Sequence, residues 1–178
     1  MIRLGDGREV DILPASEGDA AASIVYLDAM AAESTFPTFG PGELGLTVET
    51  QAAYLRRLNQ PGAGLMLKAV PATEPGRIVG AVTLAQSPRS RIRHVSELGL
   101  SVLREYWGGG LGRALCQYAI AAAPGLGISR IELKVREDND RAIHLYETLG
   151  FVHEGRLRHA FRAEGRVYDD FMMSLLLT

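Results

Sequence analysis

At 178 residues with a formal net charge of −2, the chain has no electrostatic case for binding nucleic acid or an anionic membrane. Hydrophobic residues at 47% and charged ones at 22% are ordinary for a globular protein, and the length predicts one domain over residues 1–178 with a real core. A single cysteine excludes an intramolecular disulfide; no run of 18 apolar residues and no signal peptide is visible, so a cytoplasmic location is expected.

In chain order, Val10 to Leu13 reads as the first strand. Ser16 offers an N-cap with Asp19 three residues on, opening a helix from about Glu17 to Ala32 with Ile24, Leu27 and Ala31 on one face. Prolines and glycines make Ser34 to Leu46 a loop. Thr47 caps a second helix to about Asn59, with Val48, Ala52, Leu55 and Leu58 on its apolar side. Leu65 to Val70 and Arg77 to Ala85 flank a turn and predict a hairpin, and His94 to Leu103 is a third strand candidate in this region. A helix from about Leu111 to Ala123 follows, then a strand at Arg130 to Val135 and a helix from about Asp140 to Leu149 that stops at Gly150. Phe151 to Phe161 and Val167 to Leu177 close the chain as a second hairpin. The order β-αα-βββ-α-β-α-ββ predicts a mixed α/β domain.

The most informative stretch is Trp107-Gly108-Gly109-Gly110-Leu111-Gly112-Arg113, which lies between a strand and a helix. Glycines let the main chain approach a ligand and adopt positive φ, and the following helix presents unpaired N–H groups and partial positive charge to an anion. This predicts a pyrophosphate site. The dinucleotide pattern G-x-G-x-x-G/A fails at its last position, where Arg113 or Leu115 would stand, and no Gly-Lys-Ser/Thr occurs, which excludes a P-loop.

Other clusters read as structural. Arg89, Arg91 and Arg93, and later Arg156, Arg158 and Arg162, are expected on solvated faces, and Cys116 in an apolar helix is expected to pack. His94, His144, His153 and His159 lack the paired spacings of zinc motifs, so no metal is expected.

This order, with these residues, resembles the GNAT superfamily of acetyl-CoA-dependent N-acetyltransferases. The family's phosphate loop reads Arg/Gln-x-x-Gly-x-Gly/Ala after a valine strand; here Gly110 and Gly112 match, Val102 stands at the strand valine, and Trp107 departs at the Arg/Gln place. Downstream, Asn139, Ala142, Tyr146, Gly150 and Phe151 match Asn-x-x-Ala-x-x-x-Tyr-x-x-x-Gly-Phe. The two motifs span about residues 97 to 151. The resemblance implies a mostly antiparallel central sheet flanked by helices, with acetyl-CoA as co-substrate. Its binding would fall to Val102, Leu103, Gly108, Gly110, Leu111, Gly112, Arg113, Asn139, Ala142 and Tyr146. It also implies that the N–H groups of Val102 and Leu103 polarise the thioester carbonyl, that Asn139 contacts the pantetheine arm, and that Tyr146 is the general acid.

Acyl transfer needs a neutral amine. At pH 7 an α-amine of pKa about 8 is roughly one-tenth neutral, whereas a lysine of pKa about 10.4 is neutral about once in 2,500, so the need for a base depends on the acceptor. Glu97, the one carboxylate on the strand leading to Val102, is the candidate base, with a salt-bridged or solvent-facing residue as the equal alternative. Acceptor choice is expected from Glu33 to Leu46, with Glu33 meeting positive charge and Phe36 and Phe39 forming an apolar wall, helped by Arg89 to Arg93. Expected partners are a small-molecule amine or a protein N-terminus, in a monomer or a homodimer, with neither nucleic acid nor membrane. The competing class is a non-catalytic acyl-CoA sensor or interaction module on the same fold.

Overall fold

Residues 1–177 are described by the structure, a computed structural model. Ile2–Arg3 (β1) pairs with Glu9–Pro14 (β2) ahead of the first predicted strand; two residues are too short to carry an alternation signal. A 3₁₀ turn at Glu17–Asp19, closed by Ser16 N–H donating to Asp19 Oδ2 at 2.8 Å, leads into Ala20–Glu33 (α1). Val48–Leu58 (α2) follows, capped by Thr47, whose hydroxyl accepts from Thr50 N–H at 3.2 Å.

The buried faces of these helices differ from the expected ones. On α1 they are Ala20, Ser23, Tyr26, Met30 and Ala31, not Ile24 and Leu27; on α2 Gln51 is buried and Val48 is half exposed. Polar pairing is the reason. Gln51 Nε2 donates to Ser23 Oγ at 2.9 Å, and the Tyr26 hydroxyl pairs with Ser101 Oγ at 2.7 Å. A satisfied polar group can be buried, and hydropathy cannot anticipate its partner.

Gly64–Pro71 (β3), Gly80–Gln86 (β4) and Val95–Val102 (β5) form an antiparallel meander. Leu111–Ala122 (α3) packs Leu111, Leu115, Cys116 and Ala119 on the sheet. The sheet makes room for them at Gly80, where a Cβ would lie 3.0 Å from Leu115 Cδ1. Arg130–Arg136 (β6) then runs parallel to β5, and Asp140–Thr148 (α4) ends at Gly150, whose φ of 93° is the left-handed stop its identity predicted. Val152–Ala163 (β7) and Arg166–Leu176 (β8) close the fold as a hairpin turning at Glu164 and Gly165.

Among the described residues eight strands lie in the order β1-β2-β3-β4-β5-β6-β8-β7, and β5–β6 is the one parallel neighbour pair. This is the mixed, mostly antiparallel sheet that was expected. The parallel pairing is short: Val95, Ser96 and Glu97 register with Arg130, Ile131 and Glu132, after which the strands part. The register also sorts side chains. Leu98, Leu100 and Val102 share a face with Leu133 and Val135, toward α3 and α4. Glu97, Gly99 and Ser101 share the opposite face with Lys134 and Arg136, toward α1 and the loop after it.

Candidate active site

The parting of β5 and β6 opens a cavity of about 870 Å³ that reaches both faces of the sheet. On the α3 face its wall is main chain. Gly108 (φ 79°) and Gly110 (φ 90°) hold the left-handed conformation expected of the loop, and a Cβ on either would meet nothing within 4 Å. Gly110, Leu111, Gly112 and Arg113 line the cavity, and the first helical bond of α3 runs from Ala114 N–H to Gly110 O, so the preceding N–H groups have no intrahelical acceptor. Open space over a left-handed glycine turn, facing a helix N-terminus, fits a diphosphate.

Trp107 has a role its position in the motif did not disclose. Its indole N–H donates to Val102 O at 2.7 Å, and the Arg141 guanidinium lies 3.5 Å from the ring centroid. Arg104 lies over the same ring at 5.4 Å. The aromatic thus brings a cation to the loop by stacking. Burial, and then the Arg104 charge, set the Arg141 pKa below its usual value. Arg113, expected among the residues that bind acetyl-CoA, also lines the cavity, and its guanidinium donates to Thr148 Oγ1 at 2.7 Å. The signal that could have found Arg141 was its place inside the second motif, two residues after Asn139.

Strand geometry corrects the expectation for Leu103. Its N–H donates to Val79 O at 2.9 Å and its side chain is buried away from the cavity, so it has no donor to offer a thioester. Antiparallel alternation then turns the main-chain groups of Gly99 and Ser101 toward β4, and those of Leu98, Leu100 and Val102 toward β6. Because β6 has diverged, the N–H groups of Leu100 and Val102 face the gap without a strand partner. Of the two expected donors, Val102 N–H thus faces the gap and Leu103 N–H does not; Leu100 N–H faces it as well.

Asn139 caps α4, its Oδ1 accepting from Ala142 N–H at 3.3 Å, and both residues line the cavity. Tyr146 also lines it and packs on Phe151 with ring centroids 5.7 Å apart. Burial, helped by the neighbouring Cys116, pushes the Tyr146 hydroxyl well above the usual tyrosine range, so it is protonated at neutral pH. Cys116 is fully buried, as expected, and burial pushes its thiol up to about 12.

Across the sheet, Glu97 is exposed at the cavity wall. Glu33, Phe36 and Phe39 line the cavity too, but each is partly committed. Glu33 Oε2 accepts from the Arg104 main-chain N–H at 2.7 Å, and Phe39 packs against the core. Phe36 stacks on the Arg136 guanidinium at 4.3 Å. Arg136 is the fastener of this loop: it donates to Thr35 O at 2.6 Å and to Asp138 Oδ1 at 2.6 Å, with Tyr168 and Phe161 stacked about it. The expected help from Arg89 to Arg93 is not seen, since those side chains are exposed and outside the cavity wall. Tyr26, Lys134 and Asp170 are wall residues that the sequence reading missed, having no motif around them. Among the described residues no His/Cys/Asp/Glu group could hold a metal ion, and no helix is long and apolar enough to cross a membrane.

Residues 29–151 match the family described as Acetyltransferase (GNAT) family. An N-acetyltransferase called p20 from Bacillus licheniformis is 38% identical over 82 residues, 46% of this chain, and the chain spans only 46% of that relative's length. The L-amino acid N-acetyltransferase AaaT of Escherichia coli K12 is 31% identical over 120 residues, covering 67% of this chain and 72% of that protein. A solved GNAT-family acetyltransferase from Streptococcus pneumoniae superposes with a TM-score of 0.89 at 29% identity, over 96% of this chain and 100% of that one. With the glycine loop, the parted strands and the Asn139–Phe151 segment in one cavity, the chain belongs to the GNAT family of acetyltransferases.

Proposed function

We propose that the chain, as one domain over residues 1–178, transfers an acetyl group from acetyl-CoA to a primary amine by direct attack. The acceptor would be an amino acid, a small amine or a protein N-terminus. The observation that carries this reading is the gap between β5 and β6, which joins an anion-binding helix N-terminus, two free strand N–H groups, Tyr146 and Glu97 in a single cavity. AaaT, an amino acid N-acetyltransferase by name, is consistent with amine chemistry. The single buried thiol at Cys116 is in keeping with a cytoplasmic location.

Gly110 to Arg113 would hold the diphosphate of acetyl-CoA, with Arg141 adding charge, and Asn139 the pantetheine arm. When bound, acetyl-CoA supplies a thioester carbonyl as electrophile and a thiolate as leaving group. The N–H groups of Leu100 and Val102 are fixed donors for the oxygen that becomes negative, at no reorganisation cost. Glu97 takes the amine proton from the opposite face of the sheet. Tyr146 donates to the departing sulfur. Its raised pKa keeps the proton in place but weakens the acid, so most of its contribution is a hydrogen bond to developing thiolate in a dry site.

The test is thiol release from acetyl-CoA across a panel of amino acids, polyamines and N-terminal peptides, beside calorimetric titration with CoA. Amine-dependent thiol release is expected. Tight CoA binding with no turnover on any amine would make the chain a sensor.

A further inference from the structure

Asp170, on β8, is the least explained charge in the protein. Among the described residues only two buried side-chain polar atoms lack a hydrogen-bond partner, Gln86 Oε1 and Asp170 Oδ1, and of these only Asp170 belongs to the cavity wall. A buried unpaired carboxylate oxygen is costly and calls for a partner. The cations beside it do not supply one. Arg136, directly opposite Asp170 in the β6–β8 register, spends its guanidinium on Asp138 and Thr35. Lys134, opposite Met172 and so diagonal to Asp170, is close enough to bias its charge but makes none of the ion pairs of β6, which fall to Arg130 and Arg136.

The other carboxylates of the cavity are less suited to hold a cation. Glu33 is tied to the Arg104 main chain and Glu97 is open to solvent. Resting on the acetyltransferase reading above, we infer that Asp170 is the docking carboxylate for the acceptor's amine, and that Lys134 beside it selects amines carrying an acid group. The register supports the pairing: diagonal neighbours on one sheet face lie roughly 7–8 Å apart at Cα, a span that two side chains can close around an ammonium and a carboxylate borne by one carbon. A polycation would leave Lys134 facing a like charge. Burial, the main cause, raises the Asp170 pKa, so the folded protein holds this charge at a cost that a bound ammonium relieves.

The test compares wild type with Asp170→Asn and Lys134→Gln. Binding to CoA-loaded protein is measured by calorimetry for the twenty standard L-amino acids, for the carboxamides of any that bind, and for 1,5-diaminopentane; turnover is followed in parallel. Asp170→Asn should weaken acceptor binding about 10- to 100-fold, leave CoA affinity unchanged, and melt no lower than wild type. A structural role would instead lower the melting temperature with acceptor affinity intact. Lys134→Gln should erase at least about 10-fold of the preference for an amino acid over its carboxamide. Acceptor affinity unchanged in Asp170→Asn overturns the docking role; wild-type preference for carboxamides or the diamine overturns the acid-bearing class. Because binding is read without turnover, amino acids that bind through Asp170 but are never acetylated would sink the acetyltransferase reading and leave this inference standing.

Discussion

The two faces of the parted sheet are built from different materials. On the α3 and α4 face the cavity is made of main chain: glycine φ angles, a helix N-terminus, and strand N–H groups exposed because β6 has turned away. On the α1 face it is made of side chains: Glu97, Lys134, Arg136, Asp170 and the loop that Arg136 fastens. The contrast sets a half made of fixed main-chain geometry against one made of exchangeable side chains. Main-chain donors fit a ligand common to many proteins and need only small residues around them. Side chains can be exchanged without unfolding the sheet, which under the proposed function suits a face that selects the acceptor.

The sharpest way to break the comparison is at Tyr146, a side chain on the main-chain face. Tyr146→Phe keeps the packing against Phe151 and removes only the hydroxyl, so kcat should fall about 100-fold or more while CoA affinity holds. An unchanged kcat, with chemistry shown to be rate-limiting, would leave that face to binding alone.

A smaller loss is expected from Gly110→Val. The position has φ of 90°, and a branched residue there carries strain of about 1–3 kcal/mol and places methyl groups in the cradle. CoA affinity should drop about 10-fold or more by calorimetry, with acceptor preference unaltered. Normal CoA binding in a folded variant would mean that the diphosphate lies elsewhere.

The mildest effect is expected across the sheet. Arg136→Ala frees Thr35 and Phe36, removing a stack worth about 0.5–2 kcal/mol, so acceptor KM should rise roughly 5-fold with CoA affinity unchanged. Phe36→Ala should behave alike, and the double variant should lose less than the sum of the two, because both remove one contact. Strict additivity would show that the loop is held by something other than this stack.

Legibility in the sequence follows the same divide. Strand and helix positions were readable because alternation and the signals of Thr47 and Gly150 are local, and the glycine loop was readable because a main-chain site leaves its mark as missing side chains. The buried side of α1 was misread, since Ser23 and Tyr26 are inside only through Gln51 and Ser101, 28 and 75 residues away. Leu103 was misread for a related reason: whether a strand N–H is free depends on which neighbour it faces, here Val79.

By itself, the sequence determined the order of elements from β2 onward, the left-handed glycine loop and the Asn139–Phe151 segment, all set by interactions within a few residues of one another. Tertiary structure alone decided that β5 and β6 part after Glu97, that Trp107 carries Arg141, and that Asp170 faces the cavity without a partner. Each of those facts is a relation between residues distant in the chain, fixed by strand register and by which polar groups find partners in the folded interior.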